Sequence, residues 1–237
     1  MSISKMKTHS FTCMTGAVKN CLGCVPGMRK AEFHVSHPDP DSFSRMLVEL
    51  SLTVRPCLHI MDGIVAMEGK GPGSGNPKPM NVLLFSRDPV ALDAVAATLM
   101  RFDTSDIGVL KYGKLLGLGD PDTFDIIGDD LESFQPATFE HPEISHYQSN
   151  SVPVSLARRW ILSRPVVNSG PCTRCGQCVA ICPVSPKAMN FKSRENPPLV
   201  TPKRCIRCFC CQEVCPDHAI DIKTPIAGKM MHLVSRN

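Results

Sequence analysis

Aromatic residues are scarce in this sequence: they make up 5% of 237 residues and include a single tryptophan, Trp160. Surfaces that bind single-stranded nucleic acid stack bases on aromatic rings, so we predict no nucleic-acid partner. No run of about 18 apolar residues, long enough to span a bilayer, is present. The polar, basic stretch Ser2–Ser10 lacks the apolar core of a signal peptide. The sequence therefore predicts a soluble, cytoplasmic protein without a membrane partner.

Cysteine, by contrast, is abundant, with 13 residues. An odd number without an export signal argues against a disulfide framework. Nine of the cysteines lie between Cys172 and Cys215, where eight of them form two regularly spaced groups and Cys210 is an extra member. The other four are scattered: Cys13, Cys21, Cys24 and Cys57. Dense, regular thiols in a reducing compartment indicate bound metal.

The two groups share one spacing, C-x2-C-x2-C-x3-C-P, and the second repeats the first 33 residues later. This spacing is that of bacterial ferredoxins, in which the fourth cysteine of each run ligates the other cluster. We therefore predict two [4Fe–4S] clusters. The first is held by Cys172, Cys175, Cys178 and Cys215, and the second by Cys205, Cys208, Cys211 and Cys182.

Structural zinc is the alternative for these cysteines. Zinc sites usually pair two CxxC units over a longer gap, without a third cysteine at the same spacing, so the pattern favours iron–sulfur clusters. Cys210 fits neither the x2 nor the x3 spacing and is interpreted as a packed neighbour rather than a ligand.

The segment resembles bacterial two-cluster ferredoxins over nearly its whole length. The resemblance implies a βαββαβ fold and one-electron transfer at low potential. Strand candidates flank each motif at 165–167, 188–191, 199–201 and 219–222. Residues 165–237 carry 10 Lys and Arg against 4 Asp and Glu, an excess interpreted as compensation for anionic clusters.

The preceding residues alternate helical and strand patterns, which predicts an α/β domain. Helices are predicted at 42–55, at 89–100 with Asp88 as the N-cap, and at 105–116. Buried strands are predicted at 57–61, closed by a turn at Asp62-Gly63, and at 81–85 and 124–127. A Gly/Pro-rich loop is predicted at 69–79; it matches neither a P-loop nor a G-x-G-x-x-G motif.

Four strings in this region carry a second resemblance: KTHSFTCMTGAVKN (7–20), DGIVAMEGKGPGSGNPKP (62–79), DPVALDAVAATLM (88–100) and GLGD (117–120). Together they resemble the family called domain of unknown function 362, whose members are often fused to such a ferredoxin. In that family an α/β portion precedes the KTH segment, which here starts at Lys7. The sequence is therefore expected to be a shortened member or to start internally.

Nine polar candidates lie in or between these strings: Lys7, His9, Lys19, Asn20, His34, Asp62, Glu68, Asp88 and Asp93. Four are favoured. Lys7 and His9 at i, i+2 on a strand share one face, and Asp62 and Glu68 flank a strand end, where acid–base carboxylates occur in α/β folds. The four are predicted to share one pocket for a small anionic substrate. Cys21-x2-Cys24 with Cys13 is a weaker candidate for metal or disulfide chemistry.

The predicted domains are an α/β domain at 1–133, a linker at 134–164 with a short helix near 156–163, a two-cluster ferredoxin at 165–225 and a tail at 226–237. The predicted function is electron transfer to or from a redox partner protein docked by the α/β domain. The alternative is a redox enzyme whose α/β domain binds the substrate and receives electrons from the clusters.

Overall fold

The computed structural model describes residues 1–27, 29–142 and 162–227. The chain divides into two compact units. The N-terminal unit consists of Met1–Lys30 and Asp39–Pro142, and the C-terminal unit consists of Ala31–Pro38 and Glu143–Asn237. No helix within the described ranges is long and apolar enough to cross a membrane.

The N-terminal unit is built on a four-stranded sheet with the order β2-β1-β3-β4. Strands β1 and β3 are parallel, and the two other pairs are antiparallel. Side chains of Met6, Met61 and Val82 are buried on one face of this sheet. The strands are β1 (Ser2–His9), β2 (Cys13–Thr15), β3 (His59–Glu68) and β4 (Asn76–Ser86).

Four α-helices of this unit accompany these strands: α1 (Ala17–Asn20), α3 (Pro40–Val54), α4 (Pro89–Leu99) and α5 (Gly108–Leu115). Helix α2 (Arg29–Ser36) lies mostly in the segment Ala31–Pro38, which belongs to the C-terminal unit. Helices α1 and α4 pack on the sheet, and α3 packs on α1 and α5. Helix α4 is central because its small side chains are buried nearly all round. As predicted, Asp88 caps α4 by accepting the N–H groups of Val90 and Ala91, and Pro89 is its first residue.

Three sequence predictions in this unit are wrong in whole or in part. The predicted turn at Asp62-Gly63 lies inside β3, which continues to Glu68. Gly63 is needed there for close packing, since a Cβ at this position would lie 2.6 Å from Val82. The predicted strand 124–127 pairs with no strand in the described chain, and Ile127 is exposed. Part of the predicted loop 69–79 is strand as well, because β4 begins at Asn76.

The start of the predicted linker is also corrected, because residues 135–142 pack on the N-terminal unit. Gln135 donates to the carbonyl of Thr98, and the ring of His141 donates to the carbonyl of Met100. These carbonyls lie at the C-terminal end of α4, where a helix lacks internal donors. Three predicted segments lie wholly or partly outside the described residues. They are the rest of the linker (143–161), the short helix near 156–163 up to residue 161, and the tail from residue 228.

Between residues 164 and 223 the C-terminal unit has six described elements in the predicted order βαββαβ. Strand β5 pairs with β8, and β6 pairs with β7, both antiparallel. Each of the four strands coincides with a strand candidate that flanks a cysteine run. The elements are β5 (Arg164–Val167), α6 (Gln177–Ile181), β6 (Met189–Asn190), β7 (Leu199–Val200), α7 (Cys210–Glu213) and β8 (Ile220–Lys223).

Candidate metal centre

The two cysteine runs fold alike, as an internal duplication requires. Arg174 and Arg207, the third residues of the two runs, have φ angles of +60° and +62°. Gly176 and Phe209, the N-caps of α6 and α7, have φ angles of +83° and +60°. The left-handed backbone at matching positions wraps each run into a tight loop before a short helix begins. That helix carries the fourth cysteine away from the other three.

The consequence is an exchange of cysteines between the two halves of the unit. A first cavity is lined by three cysteines of the first run and the last cysteine of the second run. A second cavity is lined by three cysteines of the second run and the last cysteine of the first run. The first set is Cys172, Cys175, Cys178 and Cys215. The second set is Cys182, Cys205, Cys208 and Cys211.

Apolar side chains complete both cavities. Val167, Ala219 and Ile220 line the first, while Met189 and Val200 are among those that line the second. A small buried cluster of Cys178, Met189 and Ile220 adjoins both sets of thiols. An all-thiol donor set in an apolar surrounding is the chemistry that iron–sulfur clusters require.

The crowding of thiols has an electrostatic consequence. Burial, followed by the neighbouring Cys175 and Cys215, raises the pKa of Cys178 to about 11. Burial and the neighbouring thiols also raise the pKa of Cys211 well above its ordinary value. Four thiolates in one such cavity repel each other unless a cationic core compensates them. The donor sets therefore fit a bound iron–sulfur core.

Cys210 does not line either cavity. Its side chain is buried, and its Sγ lies 4.0 Å from the carbonyl oxygen of Cys208. A hydrogen bond from Cys210 lowers the pKa of Cys208 and raises that of Cys210. The residue therefore acts as a neutral neighbour of the second set. Within the described ranges, no group of three or more His, Cys, Asp or Glu is placed to hold a single metal ion.

The four candidates of the N-terminal unit have separate partners. Lys7 Nζ lies 3.5 Å from the carbonyl of Pro72. His9 is buried, and its Nδ1 accepts the backbone N–H of Phe11 at 3.1 Å. Both residues are on β1, as predicted, and these two contacts are with backbone groups of Pro72 and Phe11.

The two carboxylates are not gathered at one strand end. Asp62 lies within β3 and pairs with Lys5 at 2.7 Å, which lowers the pKa of the Asp62 carboxyl. Glu68 ends β3, about 20 Å further along at the rise of a strand. It pairs with Lys78 at 3.4 Å and accepts the N–H of Glu140 at 3.0 Å. The geometry does not bring Asp62 and Glu68 together.

Instead, Asp93 joins two of the four strings. Its carboxylate accepts the N–H groups of Ala17 and Val18 at 2.5 and 3.1 Å, at the start of α1. Burial raises the pKa of Asp93 to about 7, although both hydrogen bonds oppose the rise. The sequence identifies Asp93 only as one of nine polar candidates, because nothing local indicates a partner 76 residues away.

Two further contacts join the remaining strings. The carbonyl of Gly71 accepts hydrogen bonds from the backbone N–H and the hydroxyl of Ser10, which joins the second string to the first. Asp88, besides capping α4, accepts the N–H of Asp120 at 3.0 Å, which joins the third string to the fourth. The four strings therefore have a structural role in packing the N-terminal unit.

Comparison with known proteins agrees with this division of the chain. Residues 1–98 match the family described as "Domain of unknown function (DUF362)", and residues 164–216 match the family described as "4Fe-4S dicluster domain". The chain is 40% identical over 119 residues to the "Thylakoid-associated protein sll1697" of Synechocystis sp.. That match covers 50% of this chain and 37% of the relative's length. No solved structure matches the chain. The protein thus contains a DUF362 domain followed by a 4Fe-4S dicluster domain, and the latter supports a role in iron–sulfur electron transfer.

Proposed function

We propose that the C-terminal unit binds two [4Fe–4S] clusters and exchanges single electrons with a partner protein. The observation that carries this proposal is the pair of cavities, each lined by four cysteines with one cysteine exchanged between the runs. That exchange is the ligand pattern of two-cluster ferredoxins. It also supports the ligand assignment for each cluster, because each cavity contains only the four cysteines assigned to it.

The residues of the unit have distinct tasks in this proposal. The eight cysteine thiolates ligate iron, and a bound cluster supplies reversible one-electron chemistry. Apolar side chains such as Met189, Val200 and Ile220 exclude water from the sulfurs. Lys187 donates to the carbonyls of Val179 and Ala180 at 2.7 Å each, which fixes the end of the helix before Cys182.

The N-terminal unit is proposed to dock the redox partner. Its sheet has a face on which Ile3, Ile60 and Phe85 are in register across three neighbouring strands. Ile3 is 67% exposed, Phe85 61% and Leu83 50%. Exposed apolar side chains gathered on one surface are typical of protein interaction sites. The alternative function, a redox enzyme, is not favoured, because the described contacts of Lys7, His9, Asp62 and Glu68 are with different partners.

The ligand exchange provides the test. We would prepare four single Cys→Ala variants anaerobically and compare the electron paramagnetic resonance spectra of the dithionite-reduced proteins. Cys215→Ala is expected to give the same residual spectrum as Cys172→Ala, since both damage the first cluster. Cys182→Ala is expected to match Cys205→Ala. A match of Cys215→Ala with Cys205→Ala would contradict the exchange and the ligand sets built on it.

A further inference from the structure

A groove of about 200 Å³ lies in the C-terminal unit beside the second cavity. Its apolar floor comes from β5 and β7 and from prolines next to β7. In the described chain β5 pairs only with β8, and β7 pairs only with β6. Both strands therefore have an edge without a strand partner, and an edge of this kind accepts an extended chain segment.

Cys205 is the link between this groove and the second cavity, because it lines both. Of the eight assigned ligands, no other lines the groove. Arg207, two residues after Cys205, lines the same groove.

Among the described residues, the charged side chains that line the groove are cationic, and the nearby Asp221, the cross-strand partner of Val166, accepts a hydrogen bond from Asn168. Arg164 and Arg207 line it, and no Asp or Glu does. Lys223 is the cross-strand partner of Arg164, and the exposed Lys203 and Arg204 come directly before Cys205. We call this surface, formed by the groove with these five cations, the basic groove.

The first cavity has a different charge environment. Arg174 and Asp217 both line it, and Asp217 accepts a hydrogen bond from Thr173 at 2.5 Å. One cation and one anion balance in charge there, whereas the cations of the basic groove favour the approach of an anionic partner. The two cluster cavities therefore differ in the charge of their surroundings, although the two cysteine runs have the same backbone conformation.

We propose that the basic groove docks an extended acidic segment of a redox partner protein and that electrons pass at the second cluster, next to Cys205. This inference rests on the proposed function and adds to it the partner's chemistry and a second place of contact, at the second cluster, besides the docking face proposed for the N-terminal unit. The apolar floor and open strand edges fit an extended polypeptide, and the five cations fit its carboxylates. Scarce aromatics argue against nucleic acid as the occupant.

The test uses the full, cluster-loaded chain after reduction with dithionite. Stopped-flow absorbance would follow its oxidation by anionic ferricyanide at several concentrations of poly-L-glutamate, the probe for an acidic polypeptide. Poly-L-glutamate is expected to slow oxidation, and added salt is expected to restore the rate. A single-stranded oligo(dT) of similar charge serves as the comparison, and its protection is expected to be weaker.

Charge reversal locates the effect. Arg164→Glu replaces a like-charge pair with Lys223 by an opposite-charge pair, so the β5–β8 ladder is retained. We expect this variant to need about tenfold more poly-L-glutamate for the same protection. The double variant Lys203→Glu with Arg204→Glu is expected to behave in the same way. The matched control is Lys192→Glu, an equal charge change at an exposed residue outside the groove lining, which is expected to leave the protection unchanged.

The outcomes separate the two proposals. A chain that contains no reducible cluster contradicts the proposed function itself. If the clusters are present, equal protection in Arg164→Glu, Lys192→Glu and the unaltered chain overturns the basic groove as the docking site. Protection by oligo(dT) as strong as that by poly-L-glutamate overturns the acidic polypeptide as its occupant.

Discussion

Gly16 and Asp93 are in direct contact between α1 and α4: a Cβ atom at position 16 would lie 2.1 Å from Oδ1 of Asp93. The glycine lets this buried carboxylate reach the N–H groups at the start of α1. The contact gives the strings TGAVKN and DPVALDAVAATLM a shared structural role. The first supplies the glycine and the backbone N–H groups, and the second supplies the carboxylate.

The first prediction is that Gly16→Ala destabilises the N-terminal unit by about 1–3 kcal/mol, the usual effect of overpacking. The methyl group displaces Asp93 and breaks its hydrogen bonds to α1. Urea unfolding followed by far-ultraviolet circular dichroism measures the change. Gly23→Ala is the matched control, because a Cβ there meets nothing within 4 Å. Equal losses in the two variants would contradict the contact.

The second prediction concerns pH. Burial raises the pKa of Asp93 to about 7 in the folded protein, from its ordinary value of 3.8. A raised pKa means that the stabilising contribution is fully present below pH 4 and is lost as pH rises through 7. Between pH 5 and pH 8 we expect the free energy of unfolding to fall by about 3 kcal/mol.

Hydrogen exchange of the α4 amides at pH 5 and pH 8 measures this loss, after correction for the intrinsic exchange rate. Asp93→Asn is expected to reduce the pH dependence of their protection, because the amide does not titrate. The Asp93→Asn variant is expected to be less stable than the unaltered chain at pH 5. Its amide NH2 group cannot accept a backbone N–H, whereas both oxygens of Asp93 do. Unchanged pH dependence in Asp93→Asn would show that another group is responsible.

The third prediction separates two adjacent thiols. Cys210→Ala is expected to retain nearly all iron, because Cys210 lines neither cavity. Cys211→Ala is expected to lose or damage the second cluster, because its thiol lines the second cavity. Iron and acid-labile sulfide analysis of the two variants decides the matter. Loss of a cluster from Cys210→Ala alone would mean that the ligand register is shifted by one residue.

Much of the metal centre could be predicted because its determinants are local. The x2-x2-x3 spacing fixes the loop and the following helix, and the two left-handed positions in each run make the same turn twice. The helix start at Asp88-Pro89 was predictable for the same reason. A side chain that caps its own helix needs only neighbours in sequence.

The rest depended on contacts between distant segments. Gly63 was interpreted as a turn, but it allows β3 to approach Val82 on β4. Asp62 was favoured as a site residue from its position before that turn, and it pairs with Lys5 on a neighbouring strand. The role of Asp93 depends on the packing of α4 against α1. Spacing along one element does not predict such contacts.

The central claim is that the C-terminal unit holds two [4Fe–4S] clusters, and metal content tests it most directly. Iron, acid-labile sulfide and zinc would be measured per full chain after anaerobic preparation. The account predicts about eight iron and about eight sulfide per chain, from two four-iron clusters. Stoichiometric zinc without sulfide would contradict it.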